Sequence, residues 1–213
     1  MKGIPQQRQS RGRRRRRITL LDIGLDEAFN TSMTFVQSVL QNINADFESP
    51  VAEIDFIRSR HPETVFTSFT APCNVLHVMA HGDSSGTPTF SSTDERTVVS
   101  IEELARRAVD SGRGISSGAV ISDGCRTGTG AWTRAILDCL QGDITYIGTT
   151  ANVGWHESTT FSSAFYSSLF RDQGYGRSPA EQARDAAVRA IEAYIKLTDR
   201  SCPYKVMELT PHR

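Results

Sequence analysis

The sequence predicts an α/β protein built on a mostly parallel sheet. Three short, nearly unbroken apolar runs, at 74–81, 118–123 and 143–148, suit strands covered on both faces. Segments with helical spacing separate them, which is the alternation that produces crossover connections. The chain has 213 residues, 38% hydrophobic and 23% charged, enough to bury a core without staples.

In chain order, 17–24 is a short apolar run closed by Gly24 and reads as a buried strand. Residues 26–44 place Ala28, Phe29, Met33, Val36, Leu40 and Ile43 on one helical face. The segment 51–57 fits either a strand or a short helix. A central strand comes next at 74–81, ending in His81-Gly82-Asp83. Residues 84–98 are rich in Ser, Thr, Gly and Pro and read as a loop with room for a hairpin. Ser100 and Glu103 form a capping-box pattern for a helix over 101–111. The strand 118–123 runs into a glycine-rich turn, 124–130, and then a helix over 131–140. After the strand 143–148, Ser158 is expected to cap a helix bearing Phe161, Phe165, Leu169 and Phe170. Ser178-Pro179 and Glu181 open a last helix. A final edge strand is expected at 205–209, and no internal repeat is visible.

The formal net charge of zero conceals an asymmetry. Lys2, Arg8, Arg11 and Arg13 to Arg17 are eight basic residues with no acid among them. The remaining chain holds 16 basic and 24 acidic residues, a net of −8. Residues 1–16 therefore read as a disordered arginine-rich arm, and 17–213 as a single domain. Such an arm is either a solvated tail or a contact for nonspecific nucleic acid, through Arg13–Arg17, or for an acidic surface. No run approaches 18 apolar residues, so no membrane-spanning helix is expected. The basic start has no apolar leader after it. Four scattered cysteines without a CxxC pair argue against a zinc site or a disulfide framework, and for a reducing cytoplasm.

Chemistry in an open α/β sheet gathers beyond the carboxyl ends of the strands. That rule selects His81-Gly82 and Asp123-Gly124-Cys125 together. A thiol on a tight turn before a helix faces unpaired backbone N–H groups and the helix dipole, which favour a reactive thiolate. Cys73, Cys139 and Cys202 read instead as small buried hydrophobes. If the two strands adjoin, His81 and Cys125 meet at the rim, which is the minimum apparatus for acyl transfer. The Gly82 and Cys125 amides then suit an oxyanion hole. His77, about 13 Å deeper on the same strand at the usual rise per residue, reads as a core histidine. No GK[ST] phosphate loop, dinucleotide fingerprint or HExxH is present.

At these residues the sequence resembles a known family. The runs 77–82 (HVMAHG) and 120–128 (VISDGCRTG) are similar to the His-Gly and Cys boxes of caspase-like (clan CD) cysteine peptidases, nearest to the CHAT type. Segments 146–155, 161–169 and 178–187 resemble that family's chain downstream of the Cys box, so the likeness covers roughly 75–209. It implies a caspase-like three-layer sandwich of about six strands with helices on both faces. It implies a cysteine endopeptidase with His81 as general acid/base, Cys125 as nucleophile and the Gly82 and Cys125 amides as oxyanion donors. It calls for no metal or cofactor. CHAT proteins usually lack an acid at position 123; Asp123-Gly124-Cys125 is similar instead to the Asp-x-Cys box of metacaspases. That likeness implies an S1 acid selecting Arg or Lys before the scissile bond. The plain alternative is that Asp123 caps the following helix. Asp22 is a second acid within reach of the same pocket, and Trp155 is either a pocket wall or rim packing, with His156 beside it. The expected partners are a protein or peptide substrate and a regulatory protein acting in trans, as in a bacterial defence or cell-death system. Self-cleavage within the arginine arm is also expected if the pocket takes Arg. The rival readings are an inactive caspase-like interaction module and nucleic-acid binding led by the arm. No third member of a triad shows in the sequence.

Overall fold

A computed structural model describes residues 15–83, 87–171 and 176–211. The basic segment 1–14, which contains most of the arm read from sequence, lies outside the described residues.

The main sheet has six strands. They are β1 (Arg16–Asp22), β2 (Ala52–Arg58), β3 (Val75–Met79), β7 (Ala119–Asp123), β8 (Ile144–Thr149) and β9 (Tyr204–Leu209). Their order across the sheet is β2-β1-β3-β7-β8-β9. All neighbours are parallel except β9, which runs antiparallel to β8. Every residue of β3, β7 and β8 is buried, as central strands sandwiched between helix layers must be. Three helices, α1 (Glu27–Ala45), α5 (Trp155–Arg171) and α6 (Pro179–Thr198), cover one face. Phe29, Met33, Phe161, Phe165 and Ala187 pack there on Ile18, Leu20, Met79 and Ile121. The other face carries α2 (Pro62–Thr70), α3 (Ile101–Ser111) and α4 (Gly130–Leu137). Phe69, Leu104 and Trp132 meet Leu21, Leu76, Val78, Val120 and Tyr146 on that side. The result is the expected three-layer sandwich.

Several elements differ from the sequence reading. The segment 51–57, which fits two kinds of element by pattern, is β2, held beside β1 from Arg16↔Ala52 to Asp22↔Arg58. Helix α2 is an addition: nine residues with Pro62 in the first turn, too short to show a clear period. Ser158 does not cap α5, because that helix begins at Trp155, where the Glu157 carboxylate accepts the Gly154 N–H (2.7 Å). Ser100 accepts the Glu103 N–H (3.3 Å), but Glu103 turns its carboxylate to Arg106 and Arg107 instead of closing the box. At Ser178 and Glu181 the box is complete. Arg16, placed in the arm by composition, belongs to β1: its guanidinium stacks over Phe170 (5.3 Å) and bonds Gln182.

The loop expected at 84–98 contributes to a second, three-stranded antiparallel sheet: β4 (His81–Asp83), β5 (Thr89–Ser91) and β6 (Val98–Ser100). This small sheet carries His81 and Gly82, so its anchors position them. Trp132 is fully buried, lies 4.7 Å from the Phe90 ring, and donates its indole N–H to the Asp83 carbonyl (3.1 Å). Replacing Trp132 by Phe leaves that carbonyl without its donor and a gap beside Phe90. We expect a loss of about 2 kcal/mol in urea unfolding, together with faster amide exchange in 81–83 than in β7.

Candidate active site

Strands β3 and β7 are neighbours in register from Val75↔Ala119 to Met79↔Asp123. The next residues leave the sheet together. A Cβ on Gly82 would stand 2.5 Å from the Cys125 carbonyl oxygen and 3.3 Å from its nitrogen. A Cβ on Gly124 would stand 2.6 Å from the Ala80 oxygen and 3.1 Å from the Gly82 nitrogen. Both positions therefore demand glycine for close backbone approach. The two tips touch main chain to main chain, and the Gly82 and Cys125 amides adjoin.

The Cys125 turn is fixed from below by buried hydroxyls. Thr127 Oγ1 donates toward the Ser122 and Gly124 carbonyls (2.7 and 3.1 Å) and accepts the Thr149 N–H (3.2 Å). Thr149 Oγ1 donates to the Gly124 carbonyl (2.5 Å). Arg126, in the left-handed region at φ 58°, gives its N–H to Ala151 (3.1 Å). Helix α4 begins only at Gly130, after a turn through 129, so Cys125 does not stand at a helix N-terminus and gains no dipole of that kind.

A pocket of about 130 Å³ opens at this rim. His81, Cys125, Gly124 and Asp123 line it with Phe29 of α1 and Trp155 and Ser158 of α5. Among the described residues Asp123 is the one acid in that lining, and it is buried. Its carboxylate accepts the Tyr204 hydroxyl on one oxygen and the Ser158 hydroxyl on the other. His77 Nε2 lies 3.4 Å from the second oxygen, while His77 Nδ1 sits 3.0 Å from the Tyr166 hydroxyl. Burial pushes the Tyr204 and Tyr166 phenols well above their ordinary range, and the Asp123 charge adds to both, so each stays a donor. His77 is thus a fully buried member of a polar cluster beneath the pocket. Asp123 binds hydroxyls of α5 and β9 rather than capping α4.

Trp155 is a pocket wall with 43% of its surface exposed, and it meets the Phe29 ring edge-on (4.6 Å). Phe29 meets the His81 ring in the same way (5.0 Å). Asp22 lines no part of this pocket. It is fully buried at the end of β1, accepts the Leu25 N–H (2.9 Å) and pairs with Arg58 (3.0 Å). Burial raises its pKa against the pull of those two partners. His156 is likewise outside the lining.

Sequence reasoning missed Phe29, Ser158, Thr93 and Asp26. His81 Nε2 lies 3.0 Å from Thr93 Oγ1, and Thr93 bonds Asp26 (2.5 Å). The signal for Asp26 is its N-cap pattern before Glu27; nothing local marks Thr93. A G-x-S-x-G pentad also occurs at 114–118. It enters β7 at the opposite end of the sheet instead of leaving a strand, so its exposed serine is no nucleophile elbow. Among the described residues no cluster of His, Cys, Asp or Glu could hold a metal ion, and no helix is long and apolar enough to cross a membrane.

Two consequences are measurable. Gly82→Ala drives a methyl into the Cys125 carbonyl, with an expected cost of about 1–3 kcal/mol in denaturant unfolding and slower alkylation of Cys125. Burial pushes the Cys73 thiol up to about 11 and the Cys139 thiol to about 12. Both remain thiols at pH 8, so peptide mapping after brief iodoacetamide treatment should find them unmodified while Cys125, open to the pocket, is carbamidomethylated.

No protein-family model matches the chain, and comparison with curated proteins finds no relative. Solved structures do match. The Arg-specific cysteine proteinase gingipain R superposes with a TM-score of 0.54 at 10% identity, over 88% of this chain and 45% of that one. The chain therefore spans less than half of that protein's length. A secreted C11 cysteine protease from Bacteroides thetaiotaomicron, iotapain, gives 0.55 at 10% identity, over 92% of this chain and 67% of that one. The likeness is one of fold: the chain has the caspase-like sandwich.

Proposed function

We propose that the protein is a cysteine endopeptidase that cleaves after basic residues. One observation carries the reading: the backbone contact between the tips of β3 and β7 puts an imidazole and a thiol in the wall of one pocket, with Asp123 as its acid. The structural neighbours, both cysteine proteinases and one described as Arg-specific, support it. The Asp-x-Cys box supports the finer assignment to a basic P1 residue.

In this reading His81 takes the Cys125 proton and the sulfur attacks the scissile carbonyl carbon. The Gly82 and Cys125 N–H groups hold the oxyanion. His81 then protonates the leaving amine as the C–N bond breaks. Water, deprotonated by His81, attacks the thioester, releases the acid and restores the thiol. Asp123 has already accepted two hydroxyl hydrogens and faces a third donor, His77. A carboxylate has about four lone-pair sites, so little remains for a guanidinium fork. The pocket recognises positive charge more than it recognises the planar geometry of arginine.

Arg16 and Arg17 are paired into the start of β1, at the end of the sheet remote from the pocket. A seven-residue strand separates them from it by about 20 Å. Arg16 and Arg17 as placed therefore do not enter the pocket of their own molecule. Arg16 and Arg17 are also engaged by Gln182 and Asp55, which leaves less of the run for nucleic acid; Arg13 and Arg14 lie outside the described residues.

Fluorogenic peptides with Arg, Lys, Asp or Leu at P1 test the proposal. Arg and Lys substrates should turn over within about tenfold of each other, while Asp and Leu should not. Cys125→Ala and His81→Ala should abolish turnover. Asp123→Asn should cost about 100-fold in kcat/KM on basic substrates, the worth of a charge-assisted contact of about 3 kcal/mol. Turnover that survives the first two changes would overturn the dyad.

A further inference from the structure

Beside the dyad lies a hydrogen-bond chain that the mechanism above does not use. His81 Nε2 is 3.0 Å from Thr93 Oγ1, and Thr93 Oγ1 is 2.5 Å from Asp26 Oδ2. With the imidazole neutral, the proton count along it has one solution. Burial opposes the Asp26 charge, but the Phe29 N–H, the Thr93 hydroxyl and the neighbouring His81 outweigh it and hold the carboxyl below its ordinary range. An ionised carboxylate only accepts, so the single hydroxyl hydrogen of Thr93 points to Asp26. The Thr93 oxygen must then accept from His81, which places the ring hydrogen on Nε2. The lone pair is left on Nδ1.

We propose that Asp26, acting through Thr93, is the positioning group of this site, fixing His81 as the Nε2–H tautomer with Nδ1 as the working base. The proposal rests on the peptidase reading for its kinetic consequence, though the tautomer itself does not depend on it. When His81 gains a proton, both ring nitrogens donate. The Nε2–H then keeps its bond to the hydroxyl polarised by Asp26 throughout the proton transfer. A side chain that orients a histidine in this way does not touch the substrate.

The chain is built from three parts of the fold, each anchored separately. Asp26 Oδ1 accepts the Phe29 N–H (2.8 Å) as the N-cap of α1, which leaves Oδ2 for Thr93. Thr93 donates its own N–H to the Gly24 carbonyl (3.0 Å), so the β5–β6 turn is docked on the β1–α1 loop. Arg60 pairs with Asp94 (3.0 Å), and Ser92 accepts the Thr97 N–H (3.1 Å) and closes the turn. The His81 ring is held edge-on against Phe29, whose own place depends on Gly24: a Cβ there would fall 2.0 Å from the Phe29 ring. The segment that read as a polar loop thus supplies the link between an acid on one side of the rim and the imidazole on the other.

The test reads the tautomer and the turnover on the full chain. In two-bond 15N–1H spectra of 15N-histidine-labelled protein, assigned with His81→Gln and followed to the alkaline end of the ring's titration, His81 should show the Nε2–H pattern. Thr93→Val, nearly the same size but without the hydroxyl that accepts from His81 and donates to Asp26, should lose that pattern and lower kcat about 100-fold with KM within about twofold. Thr93→Ser should restore both. Asp26→Asn keeps the cap oxygen, offers an N–H to Thr93, and reverses the chain; it should move the ring hydrogen to Nδ1 and depress kcat as Thr93→Val does. Urea unfolding of Thr93→Ser and Asp26→Asn separates these effects from damage to α1. A neutral wild-type ring carrying its hydrogen on Nδ1, or a Thr93→Val enzyme with unchanged kcat, would overturn the relay. If wild-type protein cleaves no peptide, the spectra still decide the tautomer, and the peptidase reading fails separately.

Discussion

The site depends on a contact between two backbones. At the carboxyl ends of β3 and β7 the chain must approach so closely that Gly82 meets the Cys125 carbonyl and Gly124 meets the Ala80 carbonyl. Side chains on either glycine would force the tips apart, and with them the imidazole and the thiol. The rest of the fold keeps the two ends at that distance. The in-register pairing of fully buried strands sets their height, and the hydroxyls of Thr127 and Thr149 hold the turn that presents Cys125. Trp132 ties the small sheet bearing His81 to α4, in the helix layer on the same face as that sheet's Phe90. The geometry of the candidate site is a by-product of main-chain packing, which tolerates less adjustment than side-chain packing does.

The main sheet was legible in the sequence because a strand buried on both faces leaves an uninterrupted apolar run, and β3, β7 and β8 all do. The edge strand β2 was not resolved from sequence. Its seven residues, whose exposure does not alternate cleanly, fit a single helical face nearly as well. Helix α2 is only nine residues long, and its buried Val65 and Phe69 give one spacing of four and no repeat. His81, Gly82, Asp123 and Cys125 could be placed together because the strand-end rule needs only the order of elements. Asp22 obeys the same rule and yet faces Arg58, because rim position fixes where a residue's backbone is and not what neutralises its charge. Thr93 was invisible for a third reason. It reaches His81 through a turn docked by a backbone bond to Gly24, a contact with no local pattern.

Polar groups beneath the pocket explain how an acid survives in so apolar a place. Asp123 lies between strands whose neighbours are Ile121, Phe161 and Tyr166, and an unpaired charge there would cost several kcal/mol. It is met instead by hydroxyls from two elements distant in sequence, Ser158 of α5 and Tyr204 of β9. The antiparallel edge strand and α5 thus do more than complete the sandwich. They carry the donors that let a carboxylate stand under the thiol. Phenols raised by their own burial remain donors at any ordinary pH, so this support does not titrate away when the solvent changes.

The same architecture keeps two concentrations of charge apart. The strands run parallel, so the arginines that open β1 and the acids that close β1 and β7 lie at opposite ends of the sheet. At one end Arg16 and Arg17 are absorbed by Phe170, Gln182 and Asp55. At the other, Asp22, Asp26 and Asp123 are each given a different partner: Arg58, the Thr93 hydroxyl, and the Ser158–Tyr204 pair. Three carboxylates near one rim would repel one another if left bare. Distributing them among a guanidinium, a threonine and two buried hydroxyls leaves one to anchor a loop, one beside the imidazole and one facing the cavity. The neutral total charge of the chain is therefore no guide to its surface, and the acidic rim is a consequence of strand polarity as much as of composition.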